Sequence, residues 1–188
     1  MDTLFSKVKS LAGFTCAQLI TNGSFTQVYP MESRKASASI ANVLQEFVDD
    51  VGIPDTLVCD FASEQTGKDS DVMKIIRHMN IKLQIEEKGR GITQNHQAKT
   101  EIREIKTKWK TRMRSNPVPA RLWDYGLVYY VVEIQSILAL GADKRPGLEQ
   151  LTGNTIDVSE WLDFDFYDRV WYWDQKKMDM TDEQAKIG

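Results

Sequence analysis

The sequence predicts an α/β protein with a mixed five-stranded sheet flanked by helices. Three observations support this prediction: β-type alternation near the start of the chain, helical periodicity in later segments, and short apolar runs between the helices. Hairpin strands and strands that alternate with helices occur together in mixed sheets. The chain has 188 residues, 41% hydrophobic and 27% charged, which suffices for one such domain with an appendage and excludes wholesale disorder.

The first elements are three short strands and a helix. Residues 2–5 are compatible with a first strand, and residues 15–20 and 25–29 alternate on either side of an Asn-Gly-Ser turn, as in a β-hairpin. Pro30 is expected to end the third strand, because proline lacks the N–H that pairs with a neighbouring strand. A helix with Ser33 as its N-cap then extends to about residue 51.

Strands and helices alternate in the middle of the chain. Residues 56–60 and 81–85 are apolar or alternating runs typical of strands, and a helix capped by Asp69 or Ser70 lies between them. A long helix is predicted from about residue 95 to residue 114, because apolar residues recur there at steps of three and four.

A further, mostly apolar helix is predicted from about residue 120 to residue 140. Three antiparallel strands followed by alternating helices and strands are the order of an RNase H-like fold. We assign this fold to residues 2–150, and we expect residues 151–188 to form an aromatic, acidic extension with a frayed tail.

Charge is unevenly distributed, although the net charge is only −3. Seven basic residues lie between Lys99 and Arg114 against two acids, whereas nine acids lie between Asp157 and Glu183 against three basic residues. Such an arrangement indicates a local polyanion-binding face on a chain with an acidic tail. The alternative is a solvated helix face with a solubilising tail.

Several classes of protein are excluded by the sequence. No apolar run is long enough for a membrane span, and the start lacks the pattern of a secretory signal. Cys16 and Cys59 are interpreted as reduced core thiols, so an intracellular location is expected. These cysteines and the two histidines, His78 and His96, have no zinc-ligand spacing.

Several short segments together resemble one family. They occur in a fixed order: DTLFSK at 2–7, TCAQL at 15–19, VYPM at 28–31, VGIP at 51–54, DFASEQTG at 60–67, QN at 94–95, IRE at 102–104, LWD at 122–124, and TG at 152–153 with SEW at 159–161. In their order and spacing, these segments resemble the integrase core of copia-like LTR retrotransposons, within the retroviral-integrase-like superfamily. The resemblance covers roughly residues 2–173.

The resemblance implies a site of two aspartates and one glutamate that hold Mg²⁺ or Mn²⁺ for DNA strand transfer. Asp2 matches the first acid and Asp60 the second, so both are predicted metal ligands. Carboxylate oxygens are the ligands that such hard cations prefer. Two metal ions then activate the attacking oxygen and stabilise the leaving oxygen. Glu64 could support the site, although a solvated loop acid is the simpler interpretation.

The third acidic position departs from the family. It falls five residues after Gln94, where this chain has Lys99. A lysine ammonium has no acceptor for a metal and would pair with the aspartates instead. Glu101 and Glu104 lie on other faces of the helix at about 100° per residue, so neither easily replaces the missing ligand. We therefore predict an impaired copy, the alternative being rescue by a neighbouring acid or a loop rearrangement.

DNA is the expected partner, both as element ends and as target. Sequence-independent phosphate contacts are predicted from basic residues in the first loop and on the long helix. These are Lys7, Lys9, Lys106, Lys108, Lys110, Arg112 and Arg114. The resemblance also implies a homodimer formed through the 120–140 helix, where Trp123, Tyr129 and Tyr130 lie, whereas simple core burial is the alternative.

The leading prediction is thus an integrase core with impaired catalysis, which would act in the nucleus if functional. The alternatives are a non-catalytic DNA-binding or dimerisation module derived from an integrase, and an active RNase H-like nuclease. We expect neither a zinc-binding segment before the core nor a separate DNA-binding domain after it in this sequence. We expect it to be either a fragment of a polyprotein or an open reading frame left from a decayed element.

Overall fold

The computed structural model describes residues 1–22, 24–33, 37–59, 70–85, 96–115, 117–138, 144–159, 163–164, 166–173 and 185–187. The described part contains both strands and helices. The strands are β1 (Asp2–Phe5), β2 (Cys16–Thr21), β3 (Thr26–Met31), β4 (Thr56–Cys59), β5 (Lys82–Ile85), β6 (Trp171–Trp173) and β7 (Ala185–Ile187). The α-helices are α1 (Ser37–Asp50), α2 (Asp71–His78), α3 (His96–Ser115), α4 (Trp123–Tyr125), α5 (Glu133–Leu138) and α6 (Gly147–Thr152).

The first three strands form an antiparallel sheet in the order β1-β2-β3, which confirms the predicted hairpin and first strand. Pro30 does not end β3, contrary to the sequence-based expectation: it pairs with Ala17, and the strand continues to Met31. Since β3 is an edge strand of this sheet, the missing N–H of proline is tolerated there. Gln18 is buried at the centre and accepts a hydrogen bond of 2.8 Å from the Thr3 hydroxyl.

The parallel pair β4-β5 forms a second sheet, so the described strands make sheets of three and two rather than one five-stranded sheet. A backbone contact at the start of the chain connects the two sheets. The amino group of Met1 donates to the Val58 carbonyl at 2.7 Å, and Met1 itself is buried. The start of β1 therefore lies beside β4, although no ladder of hydrogen bonds joins them.

Helices α1 and α2 pack against each other beside the strands. Ser70 is the N-cap of α2, as predicted, since its hydroxyl accepts from the Met73 N–H at 3.3 Å. The main apolar cluster contains Leu44 and Phe47 from α1, Val72 and Ile76 from α2, and Cys59 from β4. Burial of this cluster fixes α1 and α2, while α3 packs on β1 and β2.

The predicted 120–140 helix is present from Ala120 to Leu138 but is not a uniform α-helix. A 3₁₀ turn (Ala120–Leu122) precedes α4, and seven residues between α4 and α5, Gly126–Val132, form a wider π-helical segment. The buried Ser136 hydroxyl donates to the Val132 carbonyl at 2.9 Å where α5 begins. The segment packs on β3 and α3.

Gly147 begins α6 where the backbone comes very close to Ser24. A Cβ atom at Gly147 would overlap the Ser24 carbonyl, so only glycine fits without a backbone shift. The chain divides into two compact units, Met1–Ile156 and Asp157–Gly188. In the second unit β6 pairs antiparallel with β7. Strand β7 lies in the segment that is predicted from the sequence to be a frayed tail. None of the helices in the described ranges is long and apolar enough to cross a membrane.

Candidate functional site

Asp2, the first predicted metal ligand, lies half-buried on β1 opposite Leu19. Its Oδ1 accepts a hydrogen bond of 2.7 Å from the Thr3 N–H. Because the neighbouring Met1 amino group contacts Val58, Asp2 lies next to the end of β4. The second predicted ligand, Asp60, follows β4 directly but lies outside the described residues, as do Glu64 and Gln94.

Lys99, at the predicted third position, lies in the second turn of α3. Its neighbour Ala98 is buried, as is Ile102, and α3 packs on β1 and β2 through this face. Lys99 itself is exposed. The lysine therefore lies on the flank of the helix and not on its buried face.

The described residues include only part of the predicted two-metal site. Within the ranges that the structure covers, no group of three or more His, Cys, Asp and Glu side chains could hold a metal ion. Asp2 is the one carboxylate of the predicted set that is described, and Lys99 offers an ammonium without a lone pair.

The surface of α3 carries a stripe of five basic residues. Advancing about 100° per residue, the helix places them within roughly 80° of one another, on one flank beside the buried face. They are spaced at steps of four, three, four and four, and no acid lies among them. We call this set the basic stripe: Lys99, Arg103, Lys106, Lys110 and Arg114.

The opposite flank of α3 has a mixed composition and contacts α5. Glu101, Glu104, Lys108 and Arg112 lie there, and we call them the mixed flank. Gln135 joins two of them, since its Nε2 donates to Glu101 at 3.1 Å and its Oε1 accepts from the Lys108 ammonium at 3.0 Å. Burial raises the pKa of the Glu101 carboxyl, as does Glu104, whereas the contacts with Gln135 and Lys108 oppose the rise.

The predicted DNA-contacting residues thus fall on different surfaces. Lys106, Lys110 and Arg114 share the basic stripe, whereas Lys108 and Arg112 lie on the mixed flank. Lys7 and Lys9 are exposed in the loop after β1. The assignment of all seven to DNA stays a prediction. Lys99 and Arg103 also belong to the stripe, and the steps of four and three make their alignment with the other three readable from the sequence.

The helix predicted to mediate dimerisation has both buried and exposed aromatic residues. Trp123 is buried, Tyr129 is 57% exposed, and the Tyr130 side chain lies outside the described part. The Tyr129 ring stacks on that of Tyr125 with centroids 6.0 Å apart. Core burial therefore accounts for Trp123, whereas it does not account for Tyr129.

Comparison with known proteins identifies the fold. No protein-family model and no curated protein matches the sequence. The chain is structurally similar to the HTLV-2 integrase catalytic core domain in complex with magnesium. Against the trimeric form the TM-score is 0.56 at 12% identity, over 80% of this chain and 93% of the other. Against the dimeric form it is 0.55 at 11% identity, over 78% and 90%.

A protein within a larger assembly is also structurally similar to the chain. The chain is similar to a protein in the simian T-cell lymphotropic virus intasome bound to PP2A regulatory subunit B56 gamma, with a TM-score of 0.63 at 12% identity. This match covers 90% of this chain and 60% of the other, so the chain spans less than two thirds of that protein. The protein therefore has the RNase H-like fold of retroviral integrase catalytic cores.

Proposed function

We propose that this chain is the core of a copia-like LTR retrotransposon integrase in which Lys99 impairs metal-dependent DNA strand transfer, while binding to duplex DNA persists. The integrase-like fold supports the general assignment. The copia-like type rests on the sequence segments that resemble that family. The proposed partner is DNA, the proposed cofactor is Mg²⁺ or Mn²⁺, and the proposed place of action is the nucleus.

The main supporting observation is the position of Lys99 in the basic stripe. At the sequence position where the resemblance expects a metal-binding carboxylate, the chain instead has Lys99, the first of the five cations of the basic stripe. The stripe extends over 16 residues, and its ends lie about 22 Å apart at 1.5 Å per residue, which is comparable to six base pairs of DNA. An aligned row of cations of this length favours contacts with a phosphate backbone over chemistry at a metal pair.

Catalysis is tested by joining a donor DNA end to a target duplex in Mn²⁺, with the unmodified chain and the Lys99→Glu variant compared. We expect activity in the variant only, accompanied by tighter Mn²⁺ binding in isothermal titration, because a carboxylate then replaces the ammonium. Lys110→Glu is the matched control, since it makes the same charge change in the stripe three turns away. Robust joining by the unmodified chain would contradict the proposal that Lys99 impairs strand transfer.

Binding is tested by measuring duplex affinity over a range of salt concentrations. Five phosphate contacts would give a slope of log affinity against log salt of at most about −4.5. We expect a clear negative slope and little dependence on DNA sequence. A slope near zero would contradict the DNA-binding part of the proposal, whatever the outcome of the joining experiment.

A dimerisation module is the second candidate, favoured by the exposed Tyr125–Tyr129 stack. Paired exposed aromatic rings are typical of protein interfaces. Light scattering at tens of micromolar separates the possibilities. A dimer that dissociates in Tyr125→Ser/Tyr129→Ser would support this role, and a monomer would count against it.

A further inference from the structure

A cavity of about 300 Å³ lies on the side of the first unit formed by β3, α1 and α4. Phe14 from the loop after β1, Tyr29 from β3 and Glu46 from α1 line one part of it. Asp124 and Tyr125 from α4, with Tyr129 from the π-helical segment, line the rest. Its volume is at the lower end of the range for small-molecule sites, about 300–1,000 Å³.

The Asp124 carboxylate is the unusual group in this cavity. Asp124 is only 3% exposed, and its Oδ1 is buried and accepts no hydrogen bond from the described residues. A buried carboxyl oxygen without a donor keeps the full cost of losing its water, and native structures rarely contain one without a reason. A bound donor would remove this cost.

The remaining lining specifies the chemistry of such a donor. Four aromatic rings surround the cavity, namely those of Phe14, Tyr29, Tyr125 and Tyr129, and no basic side chain of the described residues lines it. Aromatic faces attract cations, and carboxylates pair with them, whereas an anion would be repelled by both. The walls are apolar as well, which suits a cation on an aliphatic stem.

The electrostatics of neighbouring groups agree with this interpretation. The Tyr29 hydroxyl donates to Asp50 at 3.4 Å. Burial raises the pKa of Tyr29 far above its usual value, and Asp50 and Glu46 raise it further. Burial likewise raises the pKa of Glu46, with Asp50 adding to the rise. Glu46 at the rim and Asp50 beside Tyr29 therefore place acidic groups near the cavity, as a cation site requires.

We propose that this cavity binds an organic cation, an ammonium or guanidinium group on an apolar stem, with Asp124 as its buried counter-ion. The aromatic rings contact the stem and the charged head, and Glu46 contributes charge at the rim. The site shares none of the residues assigned to DNA, so it would recognise a basic side chain of a protein partner or a free amine independently of nucleic acid.

The test is an NMR chemical-shift titration of the full chain with three probes. These are the N-acetyl methylamides of lysine, arginine and norleucine, the last of which has an uncharged stem close in length to that of lysine. We expect the lysine or arginine probe to bind at least tenfold more tightly than the norleucine probe. Butylammonium alone then distinguishes the source: equal affinity indicates a free amine, and weaker affinity indicates a protein side chain.

Two variants assign the binding to this cavity. Asp124→Asn keeps the shape and removes the charge, so we expect at least tenfold weaker binding of the charged probes. Tyr129→Leu removes an exposed ring, and about threefold weaker binding is expected. Asp71→Asn is the matched control, because it removes an aspartate charge from the first turn of α2 and is expected to change nothing.

Three results would overturn the proposal. One is the absence of saturable shifts with either charged probe. Another is equal binding of the lysine and norleucine probes, which would indicate an apolar site only. The last is unchanged binding in Asp124→Asn while the variant remains folded, as judged by its amide spectrum.

Discussion

The two flanks of α3 both consist of charged side chains, but their net charges are very different. The basic stripe has five cations and no acid, a formal charge of +5, whereas the mixed flank has two acids and two bases, a formal charge of zero. All the net charge of the Lys99–Arg114 segment, seven bases minus two acids, therefore lies on one flank. Position around the helix, and not composition, determines which surface can attract a polyanion.

The flanks also differ in the bonds that their side chains make. Lys108 on the mixed flank donates to Gln135, and Glu101 accepts from the same side chain, so these charges serve the packing of α3 on α5. The stripe residues lie on the side away from that contact. The comparison predicts that mutations on the stripe change DNA affinity, whereas mutations on the mixed flank change stability.

The largest expected effect comes from reversing two charges of the stripe. Lys106→Glu/Lys110→Glu removes two phosphate contacts and adds two repulsions, so duplex affinity should fall by roughly 100-fold and the salt slope by about 2. Fluorescence anisotropy with a labelled duplex measures both quantities.

The control for this double variant is Lys74→Glu/Lys82→Glu, which makes the same change in net charge on α2 and β5. If the control loses as much affinity as the stripe variant, then overall charge and not the stripe accounts for binding.

A smaller effect is expected from single substitutions that compare the flanks directly. Lys110→Ala should weaken binding by roughly fivefold and lower the salt slope by about 1, because one phosphate contact is lost. Lys108→Ala removes an equal charge from the mixed flank two residues away and should change affinity by less than about twofold. Equal losses in the two variants would contradict the separation of the flanks.

The basic stripe can be predicted from the sequence, whereas the contacts of the mixed flank cannot. The stripe is readable from the steps of four and three, because helical periodicity is local and α3 is one continuous helix. The hairpin and Ser70 cap are predictable for the same reason. The Gln135 contact joins positions 27 and 34 residues apart, and local patterns carry no information about such pairs.

Other features escaped prediction because tertiary context overrides local preference. Pro30 stays in β3 because that strand has a free edge, which the sequence does not specify. The cavity around Asp124 assembles from a loop, a strand and three helical segments, so no motif marks it. The position of Lys99 was predicted from its distance to Gln94, but its exposure required the buried face of α3 to be known.

The mixed flank makes a prediction about stability. Gln135→Ala removes the donor to Glu101 and the acceptor for Lys108, and should lower the free energy of unfolding by about 1 kcal/mol. DNA affinity should be unchanged. In the control, Gln45→Ala, a side-chain hydrogen bond to Asp49 within one helix is lost. This loss should lower the free energy of unfolding by only about 0.2–0.5 kcal/mol. Urea unfolding measures both, and equal losses would mean that the bridge between α3 and α5 contributes nothing beyond a local pair.

The smallest effect concerns the charge of Glu101 and depends on pH. Burial raises the pKa of this carboxyl in the folded chain. The stability that the protonated carboxyl contributes is therefore complete below the unfolded pKa and is lost as pH rises through the folded pKa. At pH 7 the ionised group is therefore slightly destabilising. Glu101→Gln should raise the free energy of unfolding by a few tenths of a kcal/mol at most, since the group is only half-buried and solvent screens it.

The dependence on pH separates this cause from a change in packing. Near pH 4 the wild-type carboxyl is largely protonated in the folded chain, so the advantage of Glu101→Gln should disappear there. Glu32→Gln, at an exposed position after β3, makes the same substitution and is the matched control. An advantage that persists at pH 4 would mean that the amide packs better against Gln135 and that charge on the mixed flank has no cost. The contrast between the flanks would then rest on the +5 charge of the stripe alone.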